Sequence, residues 1–261
     1  MKTLFRTIAV TFARYSRIPM PHLDYREEDM VYSLCVFPWV GAVIGVVFTV
    51  VYRIAEKLAL PSVATALILL AIPLLITGGF HFDGFLDVQD ALASYRSPEE
   101  KRQILKDPHI GSFAVIRAIL YVLLVLSGLL LIVESENALR SVQILSCGFF
   151  FVRALCGWTI LRFRPAKKEG MMAEEAGTAT LGKTGNERIL LVEIVVAGAF
   201  MIRISPVEAF AGIATVIVTG AWTLWKSKKE FGGITGDTAG FFVTLCEGAG
   251  AFVCGLFCFL R

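Results

Sequence analysis

Three aspartates, Asp83, Asp87 and Asp90, follow a long apolar run in the segment Thr77-Gly-Gly-Phe-His-Phe-Asp-Gly-Phe-Leu-Asp-Val-Gln-Asp90. On a helix, at about 100° per residue, they fall within roughly 60° of one another, on one face. Carboxylates stacked on one stripe repel, and at the edge of a bilayer they also lose hydration. A divalent cation offsets both costs, so the pattern predicts a Mg²⁺ site serving a phosphate-bearing substrate. His81 stands just ahead of the stripe and is a candidate proton acceptor, with Asp90 the preferred carboxylate for that role. Gly78 and Gly79 break the preceding helix or let it pack closely. Gly84 is expected to bare the backbone beside the acids to a phosphate.

Four further groups of residues carry potential chemistry. Arg96, and Lys106 with Asp107 in the run Lys106-Asp-Pro-His-Ile-Gly111, would suit a polyphosphate or nucleotide. Ordinary loop charge explains them equally well. Arg162 and Arg164 leave an apolar stretch and are either membrane-edge anchors or phosphate ligands. In Gly233-Ile-Thr-Gly-Asp-Thr-Ala-Gly240, Asp237 is a candidate metal ligand and Thr238 a candidate substrate contact, against the reading of a plain polar turn. Glu247 lies within an apolar stretch, where an ionisable residue is a functional candidate by default; pairing with Arg153 is the structural alternative. Ser97-Pro-Glu-Glu100 reads as a helix start with acids in its first turn, so Glu99 and Glu100 are expected to be structural.

The elements that position these residues are membrane helices. The chain has 261 residues, 56% hydrophobic and 18% charged, with mean hydropathy +0.70, well above the apolar share of soluble domains. Apolar stretches near the length of a span lie at 31–52, 60–79, 113–133, 138–161, 189–202, 207–225 and 238–260. The fifth is the shortest. Residues 4–18 read as an amphipathic helix on the membrane surface, with Leu4, Phe5, Ile8, Val10 and Phe12 between arginines. Arg6, Arg14 and Arg17 interrupt its apolar residues, so no cleavable signal is expected. The fold class is therefore all-α: one polytopic integral membrane helical bundle over 1–261, with about seven transmembrane helices. With the N-terminus inside and seven spans, 18 of the 25 Lys and Arg residues fall on the cytoplasmic side and five outside. That asymmetry places every polar segment named above on the cytoplasmic face. A net charge of +3 gives no reason to expect a nucleic-acid partner. The six cysteines all lie in apolar runs, form no C-x-x-C pair, and read as small buried hydrophobes.

Taken together, the segment 78–90, the run Lys106–Gly111, Arg164-Pro165 and Thr235-Gly-Asp-Thr-Ala-Gly240 closely resemble cobalamin synthase, the adenosylcobinamide-GDP ribazoletransferase family, in order and spacing over nearly the whole chain. Ala91 stands where that family usually has Gly, and Pro108-His109 where it has Ser-Arg. The resemblance implies a Mg²⁺-dependent enzyme of the bacterial or archaeal cytoplasmic (inner) membrane. It would join adenosylcobinamide-GDP to α-ribazole or its 5′-phosphate and release GMP. Asp83, Asp87, Asp90 and Asp237 would then hold Mg²⁺, and Arg96, Lys106, Arg162 and Arg164 would clamp phosphates. Partners would be those substrates and the lipid bilayer; a homo-oligomer is compatible with the sequence. The nearest rival is a CDP-alcohol phosphatidyltransferase-like enzyme, whose acids follow a different spacing. A cation or solute transporter, with Glu193, Glu247 and Arg153 as an intramembrane relay, is a second rival. The one-sided polar loops and the lack of internal repeats count against it.

Overall fold

The computed structural model describes residues 2–24, 26–163, 165–166, 177–180 and 182–260. Its elements are helices: α1 (Lys2–Tyr15), α2 (Glu27–Met30), α3 (Ser33–Lys57), α4 (Ser62–Thr77), α5 (Phe80–Ala93), α6 (Pro98–Ile104), α7 (Ser112–Val133), α8 (Ala138–Arg162), α9 (Lys183–Ile204), α10 (Pro206–Phe231) and α11 (Gly236–Phe259). No strand occurs among the described residues; one isolated bridge joins Pro165 to Ile234. The expected all-α membrane bundle is thus observed, and each of the seven apolar stretches is a helix.

Five helices, α3, α7, α8, α10 and α11, are long and apolar enough to cross a membrane. A sixth span arises only if α4 is counted together with α5, from which it is bent by 95°. The expected seventh, α9, is 22 residues long but carries Glu187 and Arg188 in its second turn and Glu193 at its centre, so composition alone does not make it a span. The count of seven is therefore not reached on length and composition. Outward-facing Ile116, Ile119, Leu120, Leu123 and Leu124 on α7 give the bundle an apolar exterior, as a multi-pass membrane protein requires.

The bundle core is built where α3 crosses α8 and α11 packs on α7 and α8, with Leu34, Val40, Ile44, Val142, Val152 and Cys246 fully buried. Gly41 and Gly45, one turn apart on α3, lie directly on the α8 backbone at Phe149 and Ser146, the close approach that small residues allow between membrane helices. A second, smaller core holds α5 in place: Phe85, Val88 and Ala91 pack with Leu105, Phe231 and Phe241. The bend before α5 is made by Gly78 at φ 64° and Gly79 at φ 80°, a left-handed pair that side chains resist. The chain after α1 is pinned to this bend by a hydrogen bond from the Arg17 N–H to the Ile76 carbonyl at 2.7 Å.

α1 packs Phe12 and Tyr15 into the main core and turns Leu4 and Phe5 outward. Leu4 and Phe5 are exposed while Thr7, Thr11, Phe12 and Tyr15 are buried. Thr7 and Thr11 satisfy their hydroxyls on carbonyls one turn back, at 3.1 and 2.7 Å, so the small polar face packs inward without an orphaned group. The buried Asp29 of α2 clamps α1 by accepting from Arg6 Nη2 at 2.8 Å.

Candidate active site

α5 is a two-faced helix. Phe85 and Val88 are buried on one side; on the other, Asp83 is exposed and Asp87 and Asp90 are half-buried. The second acid-bearing element, the start of α11, is brought against α5 by glycines. A Cβ on Gly84 would lie 2.8 Å from the Asp237 Cα, and a Cβ on Gly240 would lie 2.8 Å from the His81 carbonyl oxygen. Both are shorter than any real contact, so only glycine permits this crossing. Gly84 therefore does not open the backbone to a phosphate, as the sequence suggested; it seats the Asp237 backbone beside the acid stripe. The first turn of α11 is fixed by a reciprocal cap. The Thr235 N–H donates to Thr238 Oγ1 at 2.8 Å and the Thr238 N–H donates to Thr235 Oγ1 at 3.1 Å. This cap employs the buried Thr238 hydroxyl, so that residue shapes the turn rather than presenting itself to a substrate.

The electrostatic result centres on Asp87. Burial pushes its carboxyl up to about 7, and the charges of Asp83, Asp237 and Asp90 push it the same way. Three acids acting on a fourth mark a place where positive charge is missing. Hard oxygen donors without thiols or imidazole suit Mg²⁺ better than zinc. No three of these carboxylate oxygens converge within 4.8 Å; among the described residues only another set does.

Asp90 stands apart from the other three. Its Oδ1 accepts from the Ala114 N–H at 2.9 Å and its Oδ2 from the Gly111 N–H. It therefore caps the N-terminus of α7 from a different helix. With both oxygens so employed, Asp90 is a positioning residue and a poor choice of base. His81 is also differently placed than the sequence suggested. It lies about 160° around α5 from Asp83, is 6% exposed, and sits among Tyr15, Phe37 and Phe80 with ring centroids 5.4–6.1 Å away. Neither ring nitrogen has a hydrogen-bond partner. His81 lines an apolar cavity of about 90 Å³ inside the bundle together with Arg153 and Glu247, and does not face the acids.

Glu247 pairs with Arg153, whose Nη1 also donates to the Phe149 carbonyl at 3.0 Å; this is the structural alternative weighed above. Glu193 accepts instead from Trp39 Nε1 at 3.0 Å, so the two acids have separate partners and form no relay. Arg96 and Lys106 are exposed at the ends of the loops flanking α6. Asp107 accepts from the His109 N–H at 3.0 Å and is paired with the His109 ring at 2.7 Å, closing its own loop. Glu100 completes a capping box with Ser97 and Glu99 pairs with Arg102 at 2.9 Å, both structural as expected. Arg162 is exposed, lies 3.8 Å from Glu187 and covers the Trp158 ring. Arg164 lies outside the described residues. The bridge from Pro165 to Ile234, with the Ala166 N–H donating to the Ile234 carbonyl at 2.9 Å, brings the Arg162 segment to the Asp237 turn. One basic residue emerges that the sequence offered only as a topological charge. Arg17 lies against Gly78 at the bend and its side chain is exposed.

The comparisons with known proteins now decide the family. A family model described as Cobalamin-5-phosphate synthase matches residues 7–255. The chain belongs to this family. Among its relatives, an adenosylcobinamide-GDP ribazoletransferase of Lachnoclostridium phytofermentans is 37% identical over 238 residues, covering 91% of this chain and 88% of the relative. The one from Geobacillus sp. is 30% identical over 85% of this chain and 84% of its own length. That of Clostridium perfringens is 28% identical over 98% of this chain and all of its own length. No solved structure matches. The resemblance read from the motifs is thus borne out, the protein is a transferase of this family, and the phosphatidyltransferase-like and transporter readings are set aside.

Proposed function

We propose that the protein is a Mg²⁺-dependent adenosylcobinamide-GDP ribazoletransferase. It joins adenosylcobinamide-GDP to α-ribazole or its 5′-phosphate and releases GMP, at the cytoplasmic face of the membrane with the N-terminus inside. The observation that carries this reading is the acid cluster around Asp87 on α5, which the Gly78-Gly79 bend sets 95° from α4. It supports a cation-assisted phosphoryl transfer, and the relatives' activity supplies the substrates.

Asp87 and Asp237, with Asp83, are the residues that would hold Mg²⁺. When bound, it neutralises phosphate oxygens and stabilises the departing GMP. The ribazole hydroxyl oxygen forms a new bond to the phosphorus attached to cobinamide as the bond from that phosphorus to GMP breaks, in line. Asp83 is exposed, so it has room to accept the hydroxyl proton, whereas Asp90 is engaged by α7 and His81 faces away. Arg17, Arg96, Lys106 and Arg162 provide positive charge at the same end of the bundle for the pyrophosphate. Purified protein in detergent, given both substrates and Mg²⁺, should release GMP, and chelation of Mg²⁺ should stop it. Asp83→Asn and Asp87→Asn should each lower turnover by roughly 100-fold or more. Undiminished turnover in both would refute the metal cluster.

A further inference from the structure

A second set of metal-binding side chains lies at the other end of the bundle, unconnected with the acid cluster. Glu208 is in the first turn of α10. Cys254 and Cys258 are one turn apart near the end of α11, so both sulfurs leave the same helix face. One carboxylate oxygen and the two sulfurs all lie within 4.8 Å of one another, a convergence that no other set of His, Cys, Asp and Glu reaches among the described residues. Ser141, in the first turn of α8, joins them. Its Oγ donates to Glu208 Oε2 at 2.8 Å and lies 3.0 Å from Cys258 Sγ. Glu208, Cys254 and Ser141 are all buried, while Cys258 is half-buried and leaves a way in.

We propose that Glu208, Cys254 and Cys258 form a binding site for a thiophilic divalent cation of the Zn²⁺ type. Two thiolates and one carboxylate are three of the ligands a tetrahedral zinc site uses, with water or the Ser141 hydroxyl available as the fourth. Mixed sulfur and oxygen donors select against Mg²⁺, so this site and the acid cluster would not exchange ions. The Ser141 hydrogen bond orients the carboxylate, as groups around metal ligands commonly do. Because the donors come from α10 and α11, with α8 supplying the orienting group, an ion there would tie three helix ends together opposite the catalytic face. The bland reading is a hydrogen-bonded polar cluster of thiols, acid and hydroxyl, and metal content separates the two.

The test uses the full-length protein, purified with excess Mg²⁺ and without added zinc. Elemental analysis should find about one Zn²⁺ per chain. Titration of the stripped protein with Cd²⁺ should produce the ultraviolet sulfur-to-cadmium charge-transfer band that only thiolate ligation gives. Cys254→Ser and Cys258→Ser should each abolish that band, and Glu208→Gln should weaken Cd²⁺ binding by at least about tenfold. Asp87→Asn should leave the band unchanged, which keeps this site distinct from the acid cluster and independent of the proposed activity. Absence of both zinc and the cadmium band in well-folded wild-type protein would overturn the proposal. A band that survives in both cysteine variants would overturn it equally. Should a single serine variant fail to fold, Cys258→Ala and Glu208→Gln carry the same measurement.

Discussion

At the scale of single residues, the carboxyl of Asp87 governs the pH behaviour of the site. Its folded value of about 7 lies above the ordinary 3.8 because burial and the negative charges of Asp83, Asp237 and Asp90 disfavour its ionised form. The folded protein thus holds this proton more tightly than the unfolded chain. Without Mg²⁺, stability should therefore fall as pH rises from about 4 to about 7 and level off above that. Thermal unfolding of Mg²⁺-free protein should show this decline, and Asp87→Asn should flatten it. Added Mg²⁺ should raise the melting temperature most on the alkaline side, where the ligands are deprotonated. A wild-type profile that rises through this window would contradict the assignment. Asp90 gives a contrasting expectation. If its work is to cap α7, Asp90→Asn, which keeps one acceptor oxygen but sets its amide N–H₂ against the other backbone N–H, should weaken the cap and still retain most turnover. Asp90→Ala should lose about 0.5–2 kcal/mol of stability. A collapse of turnover in the Asn variant with unchanged stability would return Asp90 to the chemistry.

At the scale of elements, the crossing of α5 and α11 assembles the site, and two glycines permit it. Gly84→Ala would press a methyl group to within 2.8 Å of the Asp237 backbone. The helices must separate, at a cost of about 1–3 kcal/mol. Asp237 then moves away from Asp87, so Mg²⁺ dependence should weaken along with stability; calorimetry and the Mg²⁺ concentration for half-maximal turnover would check both. The sequence made part of this arrangement legible. The spacing of Asp83, Asp87 and Asp90 sufficed to place them on one stripe. What it did not show were the partners. Asp90 is satisfied by N–H groups 21 and 24 residues further on, and Gly84 by a backbone on the last helix. Both are tertiary contacts, invisible to local spacing. His81 was misread because adjacency in sequence was weighed above its angle around α5, which turns it into the bundle.

At the scale of the whole molecule, the open matter is how many times the chain crosses the membrane, and α9 decides it. Its 22 residues span about 33 Å as a helix, enough for a hydrocarbon core of about 30 Å. Three of its charges have a partner or can reach an interface. Glu193 accepts from Trp39, Glu187 pairs with Arg162, and Arg203 lies in the last turn, where it can reach the interface. At the end of α9 near the acid cluster, buried Asn186 donates to the carbonyls of Val31 and Ala179 at 2.6 and 3.0 Å. These bonds hold that end beside the start of α3. If α9 crosses, the basic cluster Lys226, Lys228 and Lys229 joins the acid site on the side enriched in Lys and Arg, as the positive-inside rule requires. If it does not, those lysines lie on the opposite side from Lys101, yet Lys101 Nζ is 2.5 Å from Glu230 Oε2 at the end of α10. The ion pair and the charge rule favour the same crossing, and labelling tests it. Single cysteines at the exposed positions Arg203 and Lys229, placed in a cysteine-free variant that retains turnover, should label oppositely with a membrane-impermeant maleimide in intact cells: Arg203 from outside, and Lys229 only after permeabilisation. Labelling of both positions from the same side would remove α9 from the spans and, with it, the placement of the acid cluster on the cytoplasmic face with the α10 lysines.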